Sequence, residues 1–277
     1  MMRILNLGAG VQSSVVLLMS IKGILPKLDA AIFADTQWEP RDVYQHLAWL
    51  EGEAKTASIP VYRVTAGNLR DHAVNGVKKK TKEGTHFVSL PIFVESHDGS
   101  RGIVKQRQCT KDYKIVPIER KVRELLGLKR GQHWPTETVC EQWFGISADE
   151  ARRVRTPRRT AITHRYPLVY ELGMSRSDCL AWAAQHYPGR TFPRSACIGC
   201  PFHQNDEWLR IKADPEAWAD AVEADEKIRN ETRGYRKGTG YLHRSFVPLK
   251  DADLTVRPKG PDSLSLFRHE CMGVCGV

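Results

Sequence analysis

The chain has 277 residues, 41% of them hydrophobic and 27% charged, with a formal net charge of +10 and a pI near 9.3. That hydrophobic share excludes wholesale disorder, the length suffices for a sizeable core, and no run of about 18 apolar residues offers a membrane span. The basic excess is clustered at 78–82, 120–130 and 152–165, which predicts an anionic partner, either a nucleic acid or a polyphosphorylated nucleotide.

Residues 3–7 (RILNL) read as a buried strand, and GAG at 8–10 as a tight turn. The apolar run that follows makes 12–22 a helix. Because Gly8, Gly10, Gln12, Ser13 and Ser14 interrupt this region, it lacks the continuous apolar centre of a signal peptide, and a cytoplasmic protein is expected. AAIFADT, 30–36, is a second strand ending in Asp35-Thr36. Pro40 opens an amphipathic helix over 40–57, apolar at Val43, Leu47 and Leu50. IPVYRVTAG, 59–67, is a third strand. Strands alternating with helices predict an α/β fold built on a doubly wound, mostly parallel sheet.

Residues 74–108 are basic and turn-rich, with a strand-like patch at 92–95, and read as a long loop or hairpin of the kind that carries function. Helical spacing returns at 117–127, a strand at 141–147, and a helix is expected from Asp149-Glu150 onward. Trp208, Ile211, Trp218, Val222 and Ile228 give 205–231 a helical period. The expected organisation is a nucleotide-binding domain over 1–231 and a Gly-, Pro- and Arg-rich mobile tail over 232–277.

A glycine turn between a first strand and a helix is suited to anions, because backbone amides and the helix N-terminus both favour negative charge. The candidates are Gly8, Gly10, Gln12, Ser13 and Ser14, with Asp35 and Thr36 at the end of the next strand, where doubly wound sheets hold their ligands. The spacing fits neither GxGxxG nor the lysine-bearing P-loop. GAGVQSS followed by ADTQWEP resembles the PP-loop superfamily of adenine-nucleotide enzymes, and within it the phosphoadenylyl-sulfate (PAPS) reductase family. Gln37 stands where that family's Asp-Thr-Gly element has glycine. Gly8 and Gln12 replace the serine and aspartate of the ATP-splitting branch. The resemblance implies an adenine nucleotide as substrate and chemistry at sulfur.

Seven cysteines, an odd number, argue against a disulfide framework, while the close pairs 197/200 and 271/275 point to metal or redox chemistry. QRQCTKDYKIVPI resembles the Cys-Cys-x-x-x-Lys-x-x-Pro-Leu segment of the family's iron–sulfur members, with Thr110 in place of the second cysteine. Cys197-x-x-Cys200 is similar to the family's second pair. The resemblance thus implies a metal site at Cys109, Cys197 and Cys200, expected as a [4Fe–4S] cluster whose fourth ligand comes from elsewhere. Zinc on Cys197, Cys200, Cys271 and Cys275 and plain unligated thiols are the rival readings. Cys140 and Cys179 read as packing residues.

WFGISADEARRVR, 143–155, resembles the element whose arginines face the nucleotide's phosphates, which implies that role for Arg152 and Arg153. Glu270-Cys271 falls on the start of the family's catalytic Glu-Cys tail, making Cys271 the implied nucleophile and a thioredoxin-like thiol carrier the implied electron donor. Two other functions stay open: an ATP-dependent sulfurtransferase that thiolates a nucleic acid, and a non-catalytic zinc-bearing nucleic-acid-binding protein.

Overall fold

The computed structural model describes residues 1–78, 85–104, 106–230 and 238–256. The chain opens with β1 (Met2–Leu7), α1 (Val11–Ile21), β2 (Ala30–Asp35), α2 (Arg41–Thr56) and β3 (Val61–Thr65). Then come α3 (Leu69–Val74), β4 (Val77–Lys78), β5 (Thr85–His86), β6 (Ile92–Ser96), β7 (Arg101–Val104) and α4 (Gln108–Thr110). A π-helical turn, Lys111–Ile115, runs into α5 (Val116–Leu125), followed by β8 (Cys140–Phe144) and a 3-10 helix, Ala148–Arg153. β9 (Ile162–Arg165), α6 (Pro167–Tyr170), α7 (Arg176–His186), α8 (Asn205–Lys212), α9 (Pro215–Asn230), β10 (Gly238–Tyr241) and a 3-10 turn, Leu249–Asp251, complete it.

These elements form two compact units, each made of separate stretches of chain. The first takes Met1–Ala66 and Thr110–Ser195; the second takes Gly67–Cys109 and the described residues from Ala196 onward. Of the stretch expected as a tail, 238–256 carries β10 and the last 3-10 turn, and 257–277, with Cys271 and Cys275, lies outside the described residues.

The first unit contains a five-stranded sheet in the order β3-β2-β1-β8-β9, every pair parallel. Alternation along each strand builds a core on each face. Leu5, Leu7, Ala31, Phe33 and Trp143 pack with α1, α2 and α7. Ile4, Ala30, Ile32, Cys140 and Ile162 pack with Ile118 and Val122 of α5 on the other side. Helices on both faces explain why β1 and β2 read as nearly unbroken apolar runs. α1 is buried from Val11 through Ser20, so it shows no polar stripe. Strand order reverses at β1: β2 and β3 extend to one side, β8 and β9 to the other. A crevice at the carboxyl ends of β1 and β8 is where such sheets take ligands.

Two expectations differ in detail. The described residues of 74–108 hold four short strands, β4 to β7, with β6 and β7 paired antiparallel. The helix expected from Asp149 is a 3-10 helix with no buried residue, because its Ala and Arg side chains give it no apolar face to dock.

The second unit has a three-stranded antiparallel sheet, β10-β6-β7, and a two-stranded one, β4-β5. Buried Asp225 of α9 ties it together by accepting from the Leu242 amide (2.8 Å) and the Leu249 amide (3.0 Å). Among the described residues no helix is long and apolar enough to cross a membrane.

Candidate functional site

The turn Gly8-Ala9-Gly10 carries the chain from β1 into α1. Its left-handed residue is Ala9 (φ 53°), not a glycine. A conformation that costs an L-residue about 1–2 kcal/mol is held because Ala9 is fully buried, and such strain concentrates at functional loops. Gly10 leaves room for a neighbour: a Cβ there would sit 3.2 Å from both Cβ and N of Ser195, which would have to give by a few tenths of an ångström. Gly10 is also the helix N-cap, so no side chain caps α1, and its first turn has no acidic residue. The positive end of the helix is thus uncompensated by its own sequence.

Ser13 braces the turn, its hydroxyl accepting from the Gly8 amide (3.1 Å) and donating to the Gly10 carbonyl (3.4 Å). Ser14 faces the core. It is fully buried, with its hydroxyl 2.9 Å from Nε2 of His46 on α2. Burial, helped by the Arg190 charge, pulls the His46 imidazole down to about 4, so it is neutral at pH 7. His46 lies on the apolar face with Val43, Leu47 and Leu50; the sequence reading did not single it out, and its place in that apolar spacing is the signal that could have found it.

Opposite the turn, β8 leads through Gly145 into the 3-10 helix. A Cβ on Gly145 would come within 2.4 Å of the Ser13 amide nitrogen, so only glycine lets the β8 edge lie against the start of α1. This contact brings together side chains from three elements. The Gln12 amide nitrogen donates to Oε2 of Glu150 (3.1 Å), and its oxygen accepts from Nη1 of Arg176 (3.0 Å). The other Glu150 oxygen takes Nη1 of Arg153 at 2.7 Å. Arg153 and Glu150 are mostly buried, with 15% and 12% of their side chains exposed. Buried Nε of Arg153 has no hydrogen-bond acceptor among the described residues, a lack that costs about 1–3 kcal/mol. Arg152 is exposed and its carbonyl accepts from the Arg155 side chain (2.8 Å). The sequence reading missed Arg176, although Ser175 and Asp178 form a capping box around it that marks a helix start.

Asp35 and Thr36 stand at the same carboxyl edge, one strand away. The Asp35 carboxylate accepts from the Gln37 amide (2.7 Å) and the Tyr44 hydroxyl (2.8 Å). Burial, then the Asp35 hydrogen bond, raises the Tyr44 phenol well above its ordinary value. Gln37, at the position where glycine is usual in the resembling motif, has a left-handed backbone (φ 57°). Thr36 is buried and donates to Glu39 (3.3 Å). Glu39 in turn meets the buried Lys114 ammonium at 3.5 Å. That ion pair fixes the β2 edge to the π-helical turn.

In the second unit, Cys109, Cys197 and Cys200 are half-buried. Cys197 and Cys200 share a tight turn, the Cys200 amide donating to the Cys197 carbonyl (3.0 Å). His203 Nε2 donates to the same carbonyl (2.9 Å), which fixes its proton on that nitrogen, since a carbonyl only accepts. Among the described residues no three His, Cys, Asp or Glu side chains stand together so as to hold a metal ion. As placed, they do not by themselves fit a cluster or a zinc ion. Cys140 and Cys179 are buried in the first unit, and burial pushes both thiols up to about 12, too high for thiolate chemistry at neutral pH.

No family model matches the chain, and no relative is found among curated proteins. Among solved structures it is similar to a phosphoadenylyl-sulfate (PAPS) reductase from Candida auris, solved as its phosphate complex. The identity is 14% and the TM-score 0.37, over 70% of this chain and 74% of that one.

Proposed function

We propose that the first unit binds the anionic part of an adenine nucleotide at the start of α1, and that the protein acts at sulfur as an adenylyl-sulfate reductase. The observation that carries the binding half is the uncapped α1 N-terminus at the strand-order reversal, with Gln12, Arg153 and Arg176 gathered beside it. Backbone dipoles and guanidinium groups there offer charge-assisted hydrogen bonds to phosphate or sulfate oxygens. The sulfur half rests on the motif resemblance. In it, the Cys271 thiolate attacks the sulfonate sulfur, a sulfur–sulfur bond forms, and the sulfur–oxygen bond breaks with its electron pair leaving on the nucleotide phosphate. An external dithiol carrier then reduces the S-sulfocysteine, releasing sulfite and becoming a disulfide. Cys271 lies outside the described residues.

Calorimetric titration of the full chain with AMP and adenylyl sulfates tests the first half, and sulfite release in the presence of a dithiol tests the second. Gly10→Asp, which adds a carboxylate and a clash with Ser195, should weaken nucleotide binding at least tenfold in a protein that still melts cooperatively. Cys271→Ser should bind as wild type does and release no sulfite. Absence of any nucleotide binding by wild type would overturn the reading, and sulfite release by Cys271→Ser would remove the nucleophile.

A further inference from the structure

Arg153, Glu150, Gln12 and Arg176 form one unbroken line of hydrogen bonds beside the start of α1. Arg153 Nη1 and Gln12 Nε2 are turned on the chain's own carboxylate and Arg176 Nη1 on the amide that relays to it, with Gln12 Nε2 also reaching the Ser147 hydroxyl at 3.4 Å. Glu150 uses both oxygens, one on Arg153 (2.7 Å) and one on Gln12 (3.1 Å). Gln12 uses both ends of its amide, donating to Glu150 and accepting from Arg176. The Arg153 guanidinium is paired with Glu150, and the Arg176 guanidinium donates to the neutral Gln12 amide. Asp149 is committed elsewhere, since its carboxylate accepts from the Arg176 amide (3.0 Å) at the start of α7, where an acidic group is favoured by the helix dipole. Glu150 sits on the 3-10 helix Ala148–Arg153, whose residues are half-buried or exposed, so hydrogen bonds rather than apolar packing hold its side chain in place.

We infer that Glu150 is a built-in stand-in for the ligand, which an incoming doubly charged oxyanion, a sulfate, a phosphate monoester or a phosphosulfate, displaces. This rests on the nucleotide-binding reading for its setting, and deepens it by naming what competes for the site. When the carboxylate swings out, Gln12 Nε2 and Arg153 Nη1 are released together toward the place it held. Two oxygens of a tetrahedral anion can take them in its stead, and the unmet Arg153 Nε offers a further donor. A single negative charge only replaces the one it expels. Two charges, whether on free sulfate, on a phosphate monoester or shared over the phosphosulfate of an adenylyl sulfate, add the second charge that Arg153 and Arg176 together neutralise, and so gain over the Glu150-paired arrangement. Glu150 thereby sets the affinity and favours doubly charged groups. Arg176, acting through the Gln12 carbonyl oxygen, is a positioning residue that fixes which way the amide donates.

The test compares wild type, Glu150→Gln, Glu150→Ala and Asp149→Asn by titration with inorganic sulfate and with AMP. Melting curves are recorded on each. Glu150→Gln should bind sulfate about tenfold more tightly, the change expected when a directly competing charge at hydrogen-bond distance is removed. Glu150→Ala should do the same if the glutamine variant folds poorly. Asp149→Asn makes the same charge change one residue away and should tighten binding less than about threefold. Equal tightening by both would reduce the effect to a general field and overturn the inference, as would unchanged or weaker sulfate binding in both Glu150 variants. Sulfate tightened while AMP binds neither protein would keep the stand-in and remove the nucleotide reading. AMP bound equally by wild type and both Glu150 variants, with sulfate unchanged, would do the reverse.

Discussion

Adding one methyl group at position 145 puts the geometry beneath the site under direct strain. A Cβ there would lie 2.4 Å from the Ser13 nitrogen, 2.5 Å from the Ser13 Cα and 2.8 Å from the Gln12 carbonyl carbon, where ordinary contact begins at 3.4 Å. Gly145→Ala therefore asks the β8 edge and the first turn of α1 to part by about 1 Å. The obstacle is backbone on both sides, locked into a sheet and a fully buried helix, so no side chain can swing aside to absorb it. Overpacking of this kind costs about 1–3 kcal/mol, and about 2 kcal/mol in a chain of this size lowers Tm by about 4–8 °C. Gly52 supplies the control. It sits in α2 with nothing within 4 Å of a built Cβ, so Gly52→Ala should raise stability by about 0.5–1 kcal/mol through helix propensity alone. Thermal melts followed by circular dichroism should show the same chemical change moving Tm in opposite directions at the two positions. Equal Tm values for Gly145→Ala and wild type would refute the close approach of β8 to α1.

His46 should make stability depend on pH. Its folded value near 4 lies below the ordinary 6.5, so as pH falls the unfolded chain takes up the proton first. The contribution is complete above about pH 6.5 and is lost toward pH 4, by up to about 3 kcal/mol. Urea melts at several pH values on wild type and His46→Gln measure this, and matching slopes would show that His46 is not the source. Gln37→Gly relieves the left-handed strain at the β2 edge but frees the unfolded chain, and should stabilise by about 0.5 kcal/mol. A lower Tm in that variant would mean that the Gln37 side chain, 3.4 Å from Thr65, contributes more than the strain removes.

The opening half of the sheet was legible because burial on both faces writes itself as continuous apolar runs. RILNL and AAIFADT have no other comfortable reading, and Pro40 with Val43, Leu47 and Leu50 announces α2. β9 was missed because ITHR is four residues long, at a sheet edge, with only Ile162 buried. A strand that pairs on one side needs little apolar sequence to specify it. β10 was missed for a like reason: GTGY gains its place from partners on β6, more than a hundred residues earlier. At the site, glycines and hydroxyls signalled the turn, but which hydroxyl faces which way depended on helix rotation. Ser13 and Ser14 are adjacent in sequence and point to different surroundings, one to the loop and one to His46. Arg176 could not be separated from the other arginines by spacing, since its partner Gln12 comes from the first turn of α1.

The braided route of the chain bears on how the protein is made. β1 waits for β8 on its open side until Cys140–Phe144 has been synthesised, and β6 waits for β10 until Gly238–Tyr241 appears. At roughly 5–20 residues per second, that second edge stands unpaired on a ribosome for on the order of ten seconds. Neither unit can close as the chain emerges, because the last strand of each follows a segment that belongs to the other or a long stretch of its own. Among these strands β1, β2 and β3 are made before their partner β8, as an incomplete sheet with an apolar edge, and the yield of folded protein should respond to translation speed and to chaperones that shield strand edges.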